Sequence, residues 1–74
     1  MWTHGITNYK GKTYRYSVKH YDEPSRFGYH EGKASKIWIQ RDGITVFSYD
    51  RELDIPAADK DTEAVLQMLL NRFN

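Results

Sequence analysis

The sequence predicts an α+β fold in which one C-terminal helix packs on one face of a four-stranded antiparallel meander, in the order ββββα. Three observations support this prediction. Ten of the eleven aromatic residues lie within residues 1–51, where short alternating segments are separated by turn residues. Residues 59–73 instead carry apolar side chains at helical spacing. A chain of 74 residues has the size of one domain, so we expect a single domain over residues 1–74.

The first two predicted strands form a hairpin. Residues 2–9 have strand character, and Lys10-Gly11-Lys12 provides a short turn that contains a glycine. Residues 13–21 alternate over nine positions, which is the clearest strand pattern in the chain. One face of this strand carries Tyr14, Tyr16, Val18 and His20, and the other carries Thr13, Arg15, Ser17, Lys19 and Tyr21.

A loop over residues 22–33 precedes the second predicted hairpin. Its proline and two glycines favour turns, and long loops are often functional. A third strand over residues 34–41 places Ile37 and Ile39 on one face. Asp42-Gly43 is a strong signal for a two-residue turn. A fourth strand then runs from Ile44 to about Asp50, and either both of its faces are partly covered or it contains a bulge.

The last part of the chain predicts a linker and a helix. Residues 51–58 include Pro56 and are expected to connect the sheet to the helix. Asp59 or Asp61 is expected to cap a helix that ends near Phe73. Because a helix of this length is marginal in water, its apolar stripe must dock on the sheet. The stripe consists of Val65, Leu66, Leu69, Leu70 and Phe73.

One helix can cover one face of the sheet, so we expect the opposite face to be open. The alternation places a cluster of cations, an indole and an amide on that face. Cations attract phosphates and an indole stacks on a base, which predicts a nucleic-acid-binding surface, as in the sheet-reading DNA-binding domains of transposon integrases. The predicted binding residues are Arg15, Lys19, Lys36, Trp38 and Gln40.

Two alternatives to a nucleic-acid surface stay open. The formal net charge of +1 is low for a nucleic-acid-binding domain, so the same cations can be a solvated face whose alkyl stems cover Trp38. The other alternative is a protein-interaction module or inhibitor that acts through an edge strand or through the same cationic face. The first strand, which begins at Trp2, is expected at a sheet edge where another chain or a second copy can pair. On the helix, Ala64 and Met68 lie outside the apolar stripe and either extend that stripe into a partner surface or, for Met68, flank the core.

The segment from Tyr49 to Asp54 is expected to be structural. Arg51 lies among acids, and we expect Asp50 and Asp54 to pair with it where the chain leaves the sheet. Such a charged network is more often a structural device than a site of chemistry.

Composition excludes several other classes. The chain has no cysteine, which rules out a disulfide framework and the common zinc ribbons. The three histidines are scattered, and no nucleophile elbow or phosphate loop is present. We therefore predict no metal, no cofactor, no catalytic residues and no enzymatic activity. No apolar run approaches the ~20 residues of a membrane span, so we expect no membrane partner and a small cytoplasmic protein.

Two short segments carry a resemblance to known proteins. Gly32-Lys33-Ala34-Ser35-Lys36-Ile37 and Tyr49-Asp50-Arg51-x-x-Asp54-x-Pro56 resemble a group of small uncharacterised proteins from Gram-positive bacteria, their phages and their mobile elements. The resemblance covers residues 2 to about 56. It implies a mobile-element origin and a role in handling nucleic acid or inhibiting a partner, rather than in metabolism.

Overall fold

The computed structural model describes residues 1–26 and 28–74, which form an antiparallel sheet with one helix on one face. Five strands follow one another across the sheet in chain order. A one-turn 3-10 helix lies in the loop predicted for residues 22–33, and Phe27 of that loop lies outside the described residues. The elements are β1 (Trp2–Tyr9), β2 (Lys12–His20), the 3-10 turn (Tyr29–Glu31), β3 (Ala34–Arg41), β4 (Ile44–Asp50), β5 (Leu53–Ile55) and α1 (Lys60–Phe73).

Both tight turns have the geometry that matches the twist of a hairpin. Lys10 and Gly11 between β1 and β2 have φ values of 50° and 77°. Asp42 and Gly43 between β3 and β4 have φ values of 53° and 75°. Two consecutive positive φ values define the two-residue turn that favours glycine at its second position. The two predicted hairpins are therefore confirmed, and β2 begins and ends one residue earlier than predicted.

The prediction of four strands is wrong, because β5 lies within the segment predicted as a linker. Leu53 lies opposite Tyr49 and Ile55 lies opposite Ser48, with a register shift between the two pairs. Three residues next to Pro56 are too few to show a period of two, so the sequence carries no strand signal there. The free edge of β4 provides the hydrogen-bonding partner that makes this segment a strand.

A bulge resolves the ambiguous faces of β4. Ile39 lies opposite Phe47 and Gln40 lies opposite Thr45, so Val46 is the extra residue. Val46 and Phe47 are both buried. The bulge lets Phe47 join the helix-facing core while Thr45 returns to the open face.

The predicted apolar stripe of α1 covers the core. Asp59 is the N-cap, and its Oδ1 accepts a hydrogen bond of 2.8 Å from the Thr62 backbone nitrogen. Phe73 is partly buried and packs against the core. The core consists of Tyr14, Tyr16, Val18, Ala34, Ile37, Ile39, Val46 and Phe47 from the sheet and Val65, Leu66, Leu69 and Leu70 from α1.

Arginine side chains tie both ends of α1 to the sheet. Arg41 donates to the Tyr14 hydroxyl at 3.0 Å and pairs with the Asp59 carboxylate at 2.9 Å. At the other end, Arg72 donates to the Tyr16 hydroxyl at 3.0 Å. The two core tyrosines thereby keep partners for their hydroxyls although their rings are buried. The Arg41 hydrogen bond, together with those from Thr62, holds the pKa of the Asp59 carboxyl well below its usual range.

The expected pairing around Arg51 does not occur among residues 1–26 and 28–74. Asp50 lies opposite Lys36 in the register and forms an ion pair of 3.5 Å with it. Arg51 is exposed with a φ of 63°, and neither Asp50 nor Asp54 forms an ion pair with it. Asp50 therefore pairs with the residue opposite it across the β3–β4 register, and not with Arg51, which follows it in sequence.

α1 is too short and too polar to cross a membrane, and it is the one α-helix of the described residues.

Candidate nucleic-acid interface

The five predicted binding residues lie together on the sheet face opposite α1. Arg15 lies opposite Gln40, and Lys19 lies opposite Lys36, across the β2–β3 pair. Trp38 lies between these two pairs and is 39% exposed. Because directly opposed residues of antiparallel strands point to the same face, the register assembles one cluster from two strands. The predicted position of Trp38, away from the helix, is confirmed.

The sequence prediction missed the contribution of β1 to this face. Trp2 is 46% exposed, and its ring stacks on that of His4 with centroids 5.8 Å apart and planes 6° apart. His4 Nδ1 lies 2.7 Å from Ser17 Oγ. The two-residue turn could have predicted this contribution. It places Tyr9 opposite Lys12, and the same register along the two strands places Trp2 opposite Lys19 on the open face.

Two adjoining depressions lie on this face beside Trp38. One, of about 460 Å³, lies between Trp2 and Trp38 and reaches Lys36 and Asp50. The other, of about 330 Å³, lies beside Trp38 toward Ile6 and Arg15. His4, Ser17 and Trp38 line both. The open face therefore carries two shallow depressions with indoles beside them. Together we call them the open-face groove.

The indole nitrogen of Trp38 is already occupied. Nε1 donates a hydrogen bond of 3.0 Å to Thr45 Oγ1, which the β4 bulge brings to this face. The indole has one donor and no acceptor, so this bond satisfies its hydrogen-bonding capacity. What Trp38 offers to a ligand is aromatic surface in a fixed orientation.

Ion pairs leave this side of the sheet more cationic than the helix side. Asp59 and Asp61, at the start of α1, form ion pairs with Arg41 of β3, Lys12 of β2 and Lys10 of the first turn. On the open face, Lys36 pairs with Asp50, whereas the Arg15 guanidinium has no ion pair or hydrogen bond within the described part of the chain. Lys19 lies 5.7 Å from the centre of the Tyr21 ring. Hydrogen bonding to the Lys19 ammonium lowers the pKa of the Tyr21 phenol.

The described residues contain no group of three or more His, Asp or Glu side chains that could hold a metal ion. The chemistry that this face presents is aromatic stacking and cationic attraction.

Comparison with known proteins identifies the family. No curated protein and no solved structure matches the chain. A family model described as a domain of unknown function, DUF7678, matches residues 1–74 and thus every element from β1 to α1. The chain belongs to the DUF7678 family.

Proposed function

We propose that the protein acts by binding rather than catalysis, and that the open-face groove binds single-stranded nucleic acid. One observation carries this proposal: Trp2 and Trp38 lie on either side of one depression, next to Lys36. Indoles stack on bases of any sequence, and cations beside them attract the phosphates that connect those bases. Arg15 and Lys19 extend the cationic rim along β2.

The shape of the face favours single strands over duplexes. Bases in a duplex are stacked on one another, so their faces are not accessible to an indole. α1, the one α-helix of the described residues, packs its apolar stripe against the sheet core. A sheet with exposed aromatic side chains instead accepts unpaired bases that lie across it.

Affinity is expected to be low and sensitive to salt. Each phosphate neutralised on a single strand contributes about −0.7 to the slope of log K against log salt. Arg15, Lys19 and Lys36 together therefore predict a slope no steeper than about −2. The pairing of Lys36 with Asp50 reduces its share.

The resemblance of the segments around Ser35 and Arg51 to proteins of Gram-positive bacteria, phages and mobile elements supports the same proposal. Proteins of mobile elements commonly act on nucleic acid. We propose that this chain originates from a mobile element and acts in the cytoplasm.

The direct test is a titration of labelled short oligonucleotides at low salt, followed by fluorescence anisotropy. We expect saturable binding of oligo(dT) or oligo(U) at tens of micromolar protein, and weaker binding of a duplex of the same length. Tryptophan emission should be quenched in parallel, because both indoles line the groove. Absence of binding to single strands at low salt would exclude the proposal.

Substitutions separate stacking from charge. Trp38→Ala should weaken binding between fivefold and about 150-fold, since stacking contributes ~1–3 kcal/mol per base. Trp38→Phe should retain part of that affinity. Arg15→Ala should make the salt slope shallower by about 0.7. Lys60→Ala is the matched control, because it removes the same charge from the exposed start of α1 and should leave the slope unchanged.

A protein partner at this groove is the second candidate. Ile6 is 56% exposed at the edge of the groove, next to the depression that Arg15 lines. Exposed apolar side chains rimmed by polar ones are typical of protein-binding surfaces. A groove that fails to bind oligonucleotides and whose partner affinity is lost with Ile6→Ser would support this candidate.

A further inference from the structure

The outer edge of β1 lacks the features that normally protect an edge strand. β1 is first in the sheet order and pairs with β2 alone among the described strands. Its eight residues keep one register with β2 without a bulge. Natural edge strands are usually short, charged, bulged or broken by proline. The β1 sequence WTHGITNY has no charged residue and no proline.

The unpaired backbone groups of β1 belong to its even-numbered residues. The two-residue turn makes Tyr9 and Lys12 a hydrogen-bonded pair, and at the other end His20 donates to the Met1 carbonyl at 2.8 Å. Hydrogen-bonded pairs alternate along an antiparallel ladder, so the odd-numbered residues of β1 point their N–H and C=O groups at β2. The groups that point outward, away from β2, belong to Trp2, His4, Ile6 and Asn8.

The opposite edge of the sheet is protected. β5 has three residues, follows a register shift and is flanked by Pro56. Asp54 places an acid at its centre, and Arg51 with positive φ precedes it. These features oppose the addition of a further strand. The molecule thus has one edge that is competent for pairing, not two.

We propose that two copies of the chain pair antiparallel through β1, about a two-fold axis at Gly5, and form one continuous sheet of ten strands. This register places Trp2 opposite Asn8 of the second copy and His4 opposite Ile6 of the second copy. It lets the outward N–H and C=O groups of all four even-numbered residues form hydrogen bonds. Registers shifted by two residues leave some of these groups unpaired.

A second copy fits this edge because the strand is complementary to itself. An uncharged strand meets no like charge when it pairs with its own copy. On the helix-facing side, Thr3 lies opposite Thr7 of the second copy, and the two Gly5 residues meet at the axis without side chains. α1 packs on β2 and β3, and no strand of the described residues pairs with the outer edge of β1. Because each copy has one competent edge, the pairing closes as a dimer and does not grow into a filament.

Sedimentation equilibrium of the whole chain over a wide concentration range tests the dimer. We expect a reversible monomer–dimer equilibrium that Ile6→Pro weakens at least about tenfold, because proline removes one outward N–H and its ring faces the second copy. The Ile6 N–H does not bond to β2, so proline costs no hydrogen bond within the sheet. Ile6→Thr, the matched control, also removes the apolar side chain but keeps the donor and should still dimerise. A strict monomer at millimolar concentration would overturn the proposal.

Cysteine cross-linking tests the register without relying on a proline variant. The chain has no cysteine, so the double variant Thr3→Cys/Thr7→Cys supplies the only thiols. In the proposed register these positions form non-hydrogen-bonded pairs between copies, whose short Cα separation suits a disulfide. Oxidation should yield a covalent dimer from the double variant and little from Thr3→Cys or Thr7→Cys alone. Equal cross-linking by a single variant would exclude this register. Neither experiment involves nucleic acid, so a failure here leaves the function proposed for the open-face groove standing.

Discussion

At Gly5 the Tyr16 side chain lies close against the backbone of β1. The Tyr16 ring lies against it, and a Cβ at Gly5 would collide with the Tyr16 hydroxyl oxygen. That hydroxyl also accepts the hydrogen bond from Arg72, so the ring cannot move aside without loosening the end of α1. The absence of a side chain at residue 5 is therefore a packing requirement of the core.

Gly5→Ala should lower the free energy of unfolding by about 1–3 kcal/mol through overpacking. Urea denaturation in dilute solution measures the change. Ile6→Ala, at the neighbouring exposed position, is the control and should stay within about 0.5 kcal/mol of the parent. Equal stability of the parent and Gly5→Ala would mean that Tyr16 has room to move.

The Asp59 carboxylate makes the stability of the fold depend on acid pH. Its pKa is depressed, chiefly by the Arg41 hydrogen bond, so the stabilisation is complete above the unfolded-state pKa of about 4 and is lost as pH falls below it. Asp59→Asn keeps a capping oxygen and removes the charge. Thermal melts should show a constant difference between parent and variant near neutral pH that shrinks in acid. A difference that persists unchanged at about pH 2 would contradict this origin.

The positions of some open-face residues could be predicted from the sequence, and those of others could not. Trp38 was predictable, because its neighbours Ile37 and Ile39 define the buried side of a regular strand. Trp2 and His4 were not recognised, because β1 lacks buried large side chains and its faces depend on the register set by the Lys10-Gly11 turn. In a strand without an apolar face, the register with the neighbouring strand determines which side chains point toward the core.

At the scale of elements, α1 holds the sheet through one apolar stripe. Leu69 is 4% exposed, whereas the adjacent Met68 is 45% exposed. Leu69→Ala should lower the free energy of unfolding by about 2–4 kcal/mol, since it leaves a cavity beneath the helix. Met68→Ala changes the same helix and should cost much less. Chemical denaturation of both variants measures the contrast, and similar losses would contradict the assignment of the buried face.

The elements that sequence reasoning identified are those with local signals. β3 was predicted with its observed bounds, because alternation and the Asp42-Gly43 turn act together over eight residues. β5 was missed because Leu53–Ile55 becomes a strand only through contact with β4. The bulge at Val46 stayed ambiguous for the same reason, since two consecutive buried residues carry no period of two.

At the scale of the molecule, the two ends of the sequence carry opposite charge. Residues 1–51 contain nine basic and five acidic residues, and residues 52–74 contain two and five. Folding brings Asp59 and Asp61 into ion pairs with Arg41 and Lys12 of the sheet and Lys10 of the first turn. This arrangement explains how a chain with a net charge of +1 leaves Arg15 and Lys19 available on the opposite side.

The agreement between chain order and strand order has a kinetic consequence. Each strand meets its neighbour across a short connection or one loop, whereas the contacts of α1 join residues as far apart as the 56 positions between Tyr16 and Arg72. Closing long loops is entropically costly, so we expect the hairpins to form in the rate-limiting step and the helix to dock afterwards.

Stopped-flow measurements in urea test this order. Leu69→Ala should mainly accelerate unfolding, whereas Ile39→Val in the central hairpin should mainly slow refolding. The reverse pattern would mean that the helix organises the chain first, and that the meander assembles around it.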